Sequence, residues 1–197
     1  MRASTRREFV AGPAGRIECA VDRPDSPARG IALIAHPHPL YGGTLDNKVV
    51  QTLARSFLEL GYETWRPNFR GVGDTEGVHD EGRGELEDLH AVVVHLNVQK
   101  PVLAGFSFGA AVQARLAERV TPERLVLVGV GVTRLQAPAV PADTLVIHGE
   151  NDETVPLAAV LEWARPQELP VILVPGADHF FHRKLHVLRT IVTSNWK

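Results

Sequence analysis

The sequence predicts an α/β fold with a mostly parallel, doubly wound sheet. From Ile31 onward, short apolar runs alternate with segments whose apolar residues recur at helical spacing. Residues 31–35 are apolar throughout, which is typical of parallel strands that helices cover on both faces. The apolar run 102–104 also leads directly into a glycine-bracketed turn and an alanine-rich helix. This alternation makes a doubly wound sheet the economical architecture.

Length and composition favour one globular domain that covers residues 1–197. Hydrophobic residues make up 44% of the chain and charged residues 22%, which is ordinary for a soluble globule. A formal net charge of −2 gives no reason to expect a nucleic-acid partner. Because Cys19 is the single cysteine, an internal disulfide is excluded, and no zinc-type spacing surrounds it.

The N-terminal segment carries arginines but lacks the apolar stretch of a signal peptide. The longest apolar runs, such as residues 125–132, are far too short to span a bilayer. We therefore expect a cytoplasmic protein that has no membrane partner. The sequence gives no indication of the oligomeric state.

The first part of the chain predicts a hairpin followed by the start of the parallel sheet. Residues 7–10 and 16–21 flank the turn-rich segment 11–15, which indicates an N-terminal antiparallel hairpin. Helical spacing of apolar residues begins near Asp46, and Gly61 is a natural helix stop. The next predicted elements are a strand at 31–35, a helix to about residue 60 and a strand at 62–68.

The second part continues the alternation of strands and helices. Strands are predicted at 101–104, 124–130, 144–148 and 171–174, and helices at 86–96, 108–119, 154–165 and 181–192. Thr154 is the expected cap of the third of these helices, with Pro156 in its first turn. Only about a dozen residues separate Val132 from Thr144, so no lid domain fits there.

The segment Gly105-Phe106-Ser107-Phe108-Gly109 matches the G-x-S-x-G pattern of a nucleophile elbow. Such a turn exposes the serine hydroxyl at its apex, and glycines fit at both flanks because a side chain would clash with neighbouring backbone. The pentapeptide alone is weak evidence, but an apolar strand precedes it and a helix follows it. Ser107 is therefore a candidate nucleophile.

A serine nucleophile needs a base, and a carboxylate must orient that base. Asp152 follows the strand that ends at His148, and His179 follows the last strand. Since the carboxyl ends of parallel strands lie along one edge, Ser107, Asp152 and His179 should meet there. Asp178 and Glu150 are alternative carboxylates, but neighbours on a turn, such as Asp178 and His179, usually point apart.

These motifs together resemble a small α/β-hydrolase that lacks a cap domain, and the resemblance covers nearly the whole chain. Five segments carry it: residues 36–39, 68–73, 105–109, 148–152 and 176–180. The resemblance implies a three-layer α/β-hydrolase fold with Ser107 as nucleophile, His179 as general base and then acid, and Asp152 as the orienting carboxylate. The order Ser, Asp, His along the chain agrees with that family.

An oxyanion hole needs two backbone N–H donors, one of them usually from the residue after the nucleophile. That residue is Phe108. The second donor should come from residues 36–39, where Pro37 and Pro39 have no N–H to donate, unlike the glycine that the family often has. We assign His38 and keep Leu40 as the alternative.

The remaining candidates concern substrate and metal. We expect substrate contacts from Tyr41, Phe106 and Arg70, although a structural ion pair is an equally good interpretation of Arg70. The H-x-H pair formed by His36 and His38 is also open to a metal-binding interpretation, but no third ligand has matching spacing. We expect no metal and no cofactor.

The sequence thus predicts a serine hydrolase that cleaves carboxylic esters or thioesters of small acyl groups through an acyl-enzyme. An amide hydrolase or peptidase of the same fold would carry the same triad. A non-catalytic binding protein on this scaffold is the alternative from a different class. The motifs leave the acyl chain and leaving group open, because these depend on the shape of the pocket.

Overall fold

A computed structural model describes residues 5–196 and contains eight strands in that range. The strands are β1 (Arg6–Gly12), β2 (Gly15–Asp22), β3 (Ile31–Ala35), β4 (Glu63–Pro67), β5 (Val102–Phe106), β6 (Arg124–Val128), β7 (Leu145–Gly149) and β8 (Val171–Val174). The helices are α1 (Lys48–Glu59), α2 (Arg83–Leu96), α3 (Phe108–Leu116), α4 (Val132–Leu135), α5 (Leu157–Ala164) and α6 (Leu185–Ser194). Two short 3-10 helices cover Pro39–Tyr41 and Arg165–Gln167.

All the strands join one sheet in the order β1-β2-β4-β3-β5-β6-β7-β8. The N-terminal hairpin is antiparallel, with Arg6 opposite Val21, and β2 continues antiparallel onto β4. Every pair from β4 to β8 is parallel. The predicted sheet and hairpin are therefore confirmed, and the carboxyl ends of β3 and β5 to β8 share one edge.

Helices cover both faces of the sheet, as the apolar strands required. Alternate residues of a strand point to opposite faces, so Leu103 packs into one core cluster and Ala104 into the other. One cluster includes apolar residues of α2, α3 and α5, and the other includes those of α1 and α6. The result is a three-layer arrangement with helices on both sides.

Two local features differ from the sequence-based expectations. The helix predicted from residue 181 begins at Leu185, because Phe181 adopts a φ of 53°, outside the right-handed helical region. Thr154 is not a helix cap, since Pro156 occupies the N-cap of α5. The prediction that no lid domain lies between Val132 and Thr144 is confirmed, since this stretch contains only the four-residue helix α4.

Among the residues that the structure describes, none of the helices combines the length and apolar composition that a bilayer crossing requires.

Candidate active site

Ser107 occupies the sharp turn between β5 and α3. Its φ of 57° and ψ of −116° are uncommon for a residue with a side chain. A Cβ at Gly105 would lie 2.5 Å from the carbonyl oxygen of Gly109, and one at Gly109 would lie 2.4 Å from the carbonyl oxygen of His36. The two glycines are therefore required by close backbone approach, and the turn directs the Ser107 hydroxyl away from the sheet.

The side chains of Ser107, His179 and Asp152 form one hydrogen-bonded chain at the carboxyl edge of the sheet. His179 Nε2 lies 3.0 Å from Ser107 Oγ, and His179 Nδ1 lies 2.6 Å from Asp152 Oδ2. These residues are separated by as many as 72 positions in sequence. The structure thus brings together the three residues that the sequence placed at the ends of β5, β7 and β8.

Asp152 is held by backbone as well as by His179. Its second oxygen, Oδ1, accepts hydrogen bonds from the N–H of Thr154 at 3.0 Å and of Val155 at 2.8 Å. Because each carboxylate oxygen has a partner, the carboxylate cannot rotate freely. Thr154 thus belongs to this turn, and α5 begins only at Leu157.

His148 lies beneath Asp152 and was missed as a site residue by sequence reasoning. It is fully buried, its Nε2–H donates to the carbonyl of Val155 at 3.0 Å, and Nε2 is 3.7 Å from Asp152 Oδ2. Burial lowers the pKa of His148, while the nearby Asp152 carboxylate opposes that shift. A neutral His148 leaves the negative charge of Asp152 to interact with His179.

The two alternative carboxylates are engaged elsewhere. Asp178 accepts hydrogen bonds from the backbone N–H of His182 and interacts with its ring. Glu150 Oε2 accepts the N–H of Gly176 at 2.7 Å. Neither of these contacts involves the ring of His179.

A small cavity of about 100 Å³ adjoins the Ser107 hydroxyl. His38, Tyr41 and Phe108 line one part of it, and Thr133, Leu135 and Val155 line another. A larger surface depression of about 590 Å³ lies beside Arg55 and Arg189, but its lining contains no histidine. We therefore take the smaller cavity as the candidate substrate site, because Ser107 is among the residues that line it.

The structure separates the three predicted substrate contacts. Tyr41 lines the cavity and is 71% exposed. Phe106 is fully buried with its ring 4.8 Å from that of His179, so Phe108 rather than Phe106 lines the cavity. Arg70 makes two 2.8 Å hydrogen bonds to Asp88, and this pairing raises the pKa of its guanidinium. The pairing with Asp88 therefore favours the structural ion pair over the predicted substrate contact for Arg70.

The residues expected to form the oxyanion hole lie beside Ser107. Phe108 is the first residue of α3, and the N–H groups of the first helical turn have no partner within the helix. His38 precedes the 3-10 helix with a φ of −53° and a ψ of 122°, the extended conformation favoured before proline. The N–H of Leu40 is bound to His38 Nδ1 at 3.3 Å, so this alternative donor is already occupied.

The buried ring of His36 links the backbone at Pro37 to the backbone at Phe69. It is fully buried, its Nδ1 lies 2.7 Å from the carbonyl oxygen of Pro37, and its Nε2 accepts the N–H of Phe69 at 2.9 Å. Burial lowers the pKa of His36 to about 4, although the hydrogen bond to Pro37 opposes the shift. With both ring nitrogens bound to backbone, His36 has no lone pair for a metal ion.

Across residues 5–196, no group of three His, Cys, Asp or Glu side chains is arranged to hold a metal.

Comparison with known proteins agrees with this geometry. Residues 40–134 match the model of the alpha/beta hydrolase fold family. An alpha-beta serine hydrolase homologue from Coxiella burnetii shares 38% sequence identity, with 100% of both chains covered and a TM-score of 0.89. A serine hydrolase without lid from Xanthomonas campestris shares 36% identity over 99% of this chain and 94% of its own, with a TM-score of 0.89.

A curated relative from Rickettsia prowazekii, described only as an uncharacterized protein, is 34% identical over 89% of this chain and 82% of its own. The likeness therefore extends well beyond the residues that the family model matches.

Proposed function

Because the chain belongs to the α/β-hydrolase family, we propose that it is a serine hydrolase that cleaves carboxylic esters or thioesters of small acyl groups. Ser107 is the nucleophile, His179 the general base and then acid, and Asp152 the carboxylate that orients the imidazole. The substrate is a small molecule.

The single observation that carries the proposal is the continuous chain from Asp152 through His179 to Ser107. His179 Nε2 is within hydrogen-bonding distance of the hydroxyl, as a general base must be. Nδ1 faces the carboxylate at 2.6 Å, so the proton on Nδ1 leaves Nε2 free to accept another. A binding protein would have no need of this arrangement, which disfavours the non-catalytic alternative.

The reaction follows from these contacts. Ser107 Oγ attacks the acyl carbon while His179 Nε2 takes the hydroxyl proton, and Asp152 stabilises the imidazolium that forms. His179 then returns this proton to the leaving alcohol or thiol, and the acyl group remains on Ser107. In the second half, water loses a proton to His179 and attacks the acyl carbon. The bond to Ser107 Oγ then breaks, His179 returns the proton to Oγ, and the carboxylic acid is released. Neither half requires a cofactor.

The negative oxygen of each tetrahedral intermediate requires donors in fixed positions. We assign this role to the backbone N–H groups of Phe108 and His38. Two observations support this assignment. Phe108 begins α3 directly after Ser107, and both Phe108 and His38 line the cavity beside Ser107. A helix N-terminus also carries a partial positive charge that favours a developing anion.

The size of the cavity supports a short acyl group. A cavity of about 150 Å³ accommodates six-carbon benzene, which corresponds to about 25 Å³ per carbon. The 100 Å³ beside Ser107 therefore accommodates about four carbons. The leaving group lies outside this volume, where no lid covers the site.

A substrate panel tests the proposal. The protein is assayed with p-nitrophenyl acetate, butyrate and octanoate, with acetyl- and butyryl-CoA, and with aminoacyl-amides, beside Ser107→Ala as the matched blank. We expect turnover of acetyl and butyryl esters or thioesters that is absent in the variant. Turnover confined to the amides would assign the amide hydrolase or peptidase instead.

A further inference from the structure

His79 is a buried histidine beside the site that the proposed reaction does not use. It follows the glycine-rich loop, and only 7% of its side chain is exposed. Its ring centroid is 4.8 Å from that of His38 and 5.5 Å from that of Phe108. His79 therefore contacts the side chains of both residues to which we assign the oxyanion donors.

The buried carboxylate of Glu85 contacts the imidazole of His79. This carboxylate is fully buried, with Oε1 accepting the N–H of Asp80 at 2.9 Å and Oε2 accepting the N–H of Gly82 at 2.8 Å. These bonds fix the carboxylate at the N-terminus of α2. His79 Nδ1 lies 2.8 Å from Glu85 Oε1, so the imidazole contacts a carboxylate that is itself held in place.

The environment of His79 is costly for an imidazole. Its contact with Glu85 is electrostatic, because neither buried ring nitrogen has a partner in hydrogen-bonding geometry. Nε2 has a second carboxylate at 3.5 Å, that of the largely exposed Glu81. Burying polar atoms without good hydrogen bonds is unfavourable, so the free energy of folding alone does not explain a histidine at this position.

We propose that His79 is a positioning residue that, with Glu85, aims the oxyanion donors. The His38 and Phe108 rings are 4.8 Å apart, and His79 packs against both. This packing fixes the backbone N–H groups of His38 and Phe108 before substrate arrives. The inference rests on the proposed function, since it concerns the transition state of that reaction.

A misoriented N–H donor weakens the stabilisation of the transition state more than the binding of the substrate, because the negative charge develops in the transition state. Removing the His79 ring should therefore lower kcat and leave KM nearly unchanged. Loss of a whole donor typically costs about a hundredfold or more in kcat, so a loosened pair should cost about tenfold.

The test compares His79→Ala, His79→Phe and the control His186→Ala, whose histidine is exposed on α6. We measure kcat and KM with p-nitrophenyl acetate, inhibition by a trifluoromethyl ketone and urea unfolding. The ketone forms a tetrahedral adduct with Ser107 whose oxyanion occupies the donor site. We expect His79→Ala to lower kcat about tenfold and to raise the inhibition constant by a similar factor.

KM should stay within about twofold, and His79→Phe should recover only part of kcat, because it restores the ring packing but not the contact with Glu85. The control should match the wild type in every readout. If His79→Ala changes only the free energy of unfolding, while kcat and the inhibition constant stay at wild-type values, His79 is structural and the inference is wrong. If the wild-type protein turns over no ester or thioester, the proposed function fails first and the inference fails with it.

Discussion

Asp178 and His182 form an exposed hydrogen bond in which Oδ2 of Asp178 lies 2.7 Å from Nδ1 of His182. The contact directs the carboxylate toward the residue four positions later, and Asp152 occupies the Nδ1 side of the His179 ring at 2.6 Å. Proximity in sequence to His179 is therefore a poor guide to the orienting carboxylate.

The two aspartates should differ sharply on substitution. Asp152→Asn should lower kcat by about a hundredfold or more, because the amide no longer stabilises the imidazolium and can favour the wrong tautomer. Asp178→Asn should change kcat less than about twofold, since its partner is solvent-exposed. Steady-state kinetics with p-nitrophenyl acetate measures both, and the reverse ranking would refute the assignment of Asp152.

The backbone of Ser107 predicts a stability difference between two inactive variants. With a φ of 57°, a residue that has a Cβ is strained, whereas glycine adopts this region without steric cost. Ser107→Gly should therefore have a free energy of unfolding about 1 kcal/mol above that of Ser107→Ala. Urea denaturation measures both. Equal stabilities, or a more stable alanine variant, would show that the turn is not strained.

Leu135 should set the length of the acyl group. Its side chain is buried at the cavity wall. Its methyl groups pack against Gly82, at about 3 Å from the position that a Cβ of residue 82 would occupy. Leu135→Ala removes about three carbons and should shift the preferred p-nitrophenyl ester by two or three carbons.

Leu161→Ala, at a 39% exposed position on α5, serves as the matched control and should keep the wild-type preference. Since a buried leucine-to-alanine change costs about 2–5 kcal/mol in folding free energy, kinetics are compared well below each variant's unfolding temperature. An unchanged chain-length profile in a folded Leu135→Ala would place the end of the acyl pocket elsewhere.

His36 predicts that stability falls with acidification. Burial lowers its pKa from 6.5 to about 4, so the folded state disfavours the proton. The contribution of unprotonated His36 to the free energy of unfolding is therefore complete above pH 6.5 and is lost as the pH falls toward 4. Between pH 7.5 and pH 5 this residue alone should remove about 2 kcal/mol from the free energy of unfolding.

Urea unfolding at the two pH values, for the wild-type protein and His36→Gln, measures this contribution. Glutamine can both donate and accept hydrogen bonds but does not titrate, so the variant should lose about 2 kcal/mol less on acidification. Buried His148, whose pKa is also lowered, remains in both proteins and cancels in the difference. An equal loss in both proteins would mean that His36 does not resist protonation.

Much of the fold was predictable because its signals are local. The strands Ile31–Ala35 and Val171–Val174 have the predicted bounds, since apolar runs bounded by turn residues define them. The meeting of Ser107, Asp152 and His179 was also predictable, because parallel topology places strand ends at one edge.

What sequence reasoning missed depends on contacts between distant segments. Nothing local distinguishes Leu135, whose place in the cavity follows from a four-residue helix that no periodicity reveals. His79 carries only a weak signal, its position before the Asp80-x-Gly82-x-x-Glu85 helix start. Arg70 was ambiguous because its sequence cannot show that Asp88, 18 residues later, lies within 2.8 Å of its guanidinium.

The central claim is that Ser107 forms a covalent acyl-enzyme, and fluorophosphonate labelling tests it most directly. The folded wild-type protein and Ser107→Ala are incubated with the probe, and intact mass and peptide mapping locate the adduct. We expect one adduct per wild-type chain, on Ser107, and none on the variant. An unlabelled but folded wild-type protein, or equal labelling of both proteins, would contradict the claim.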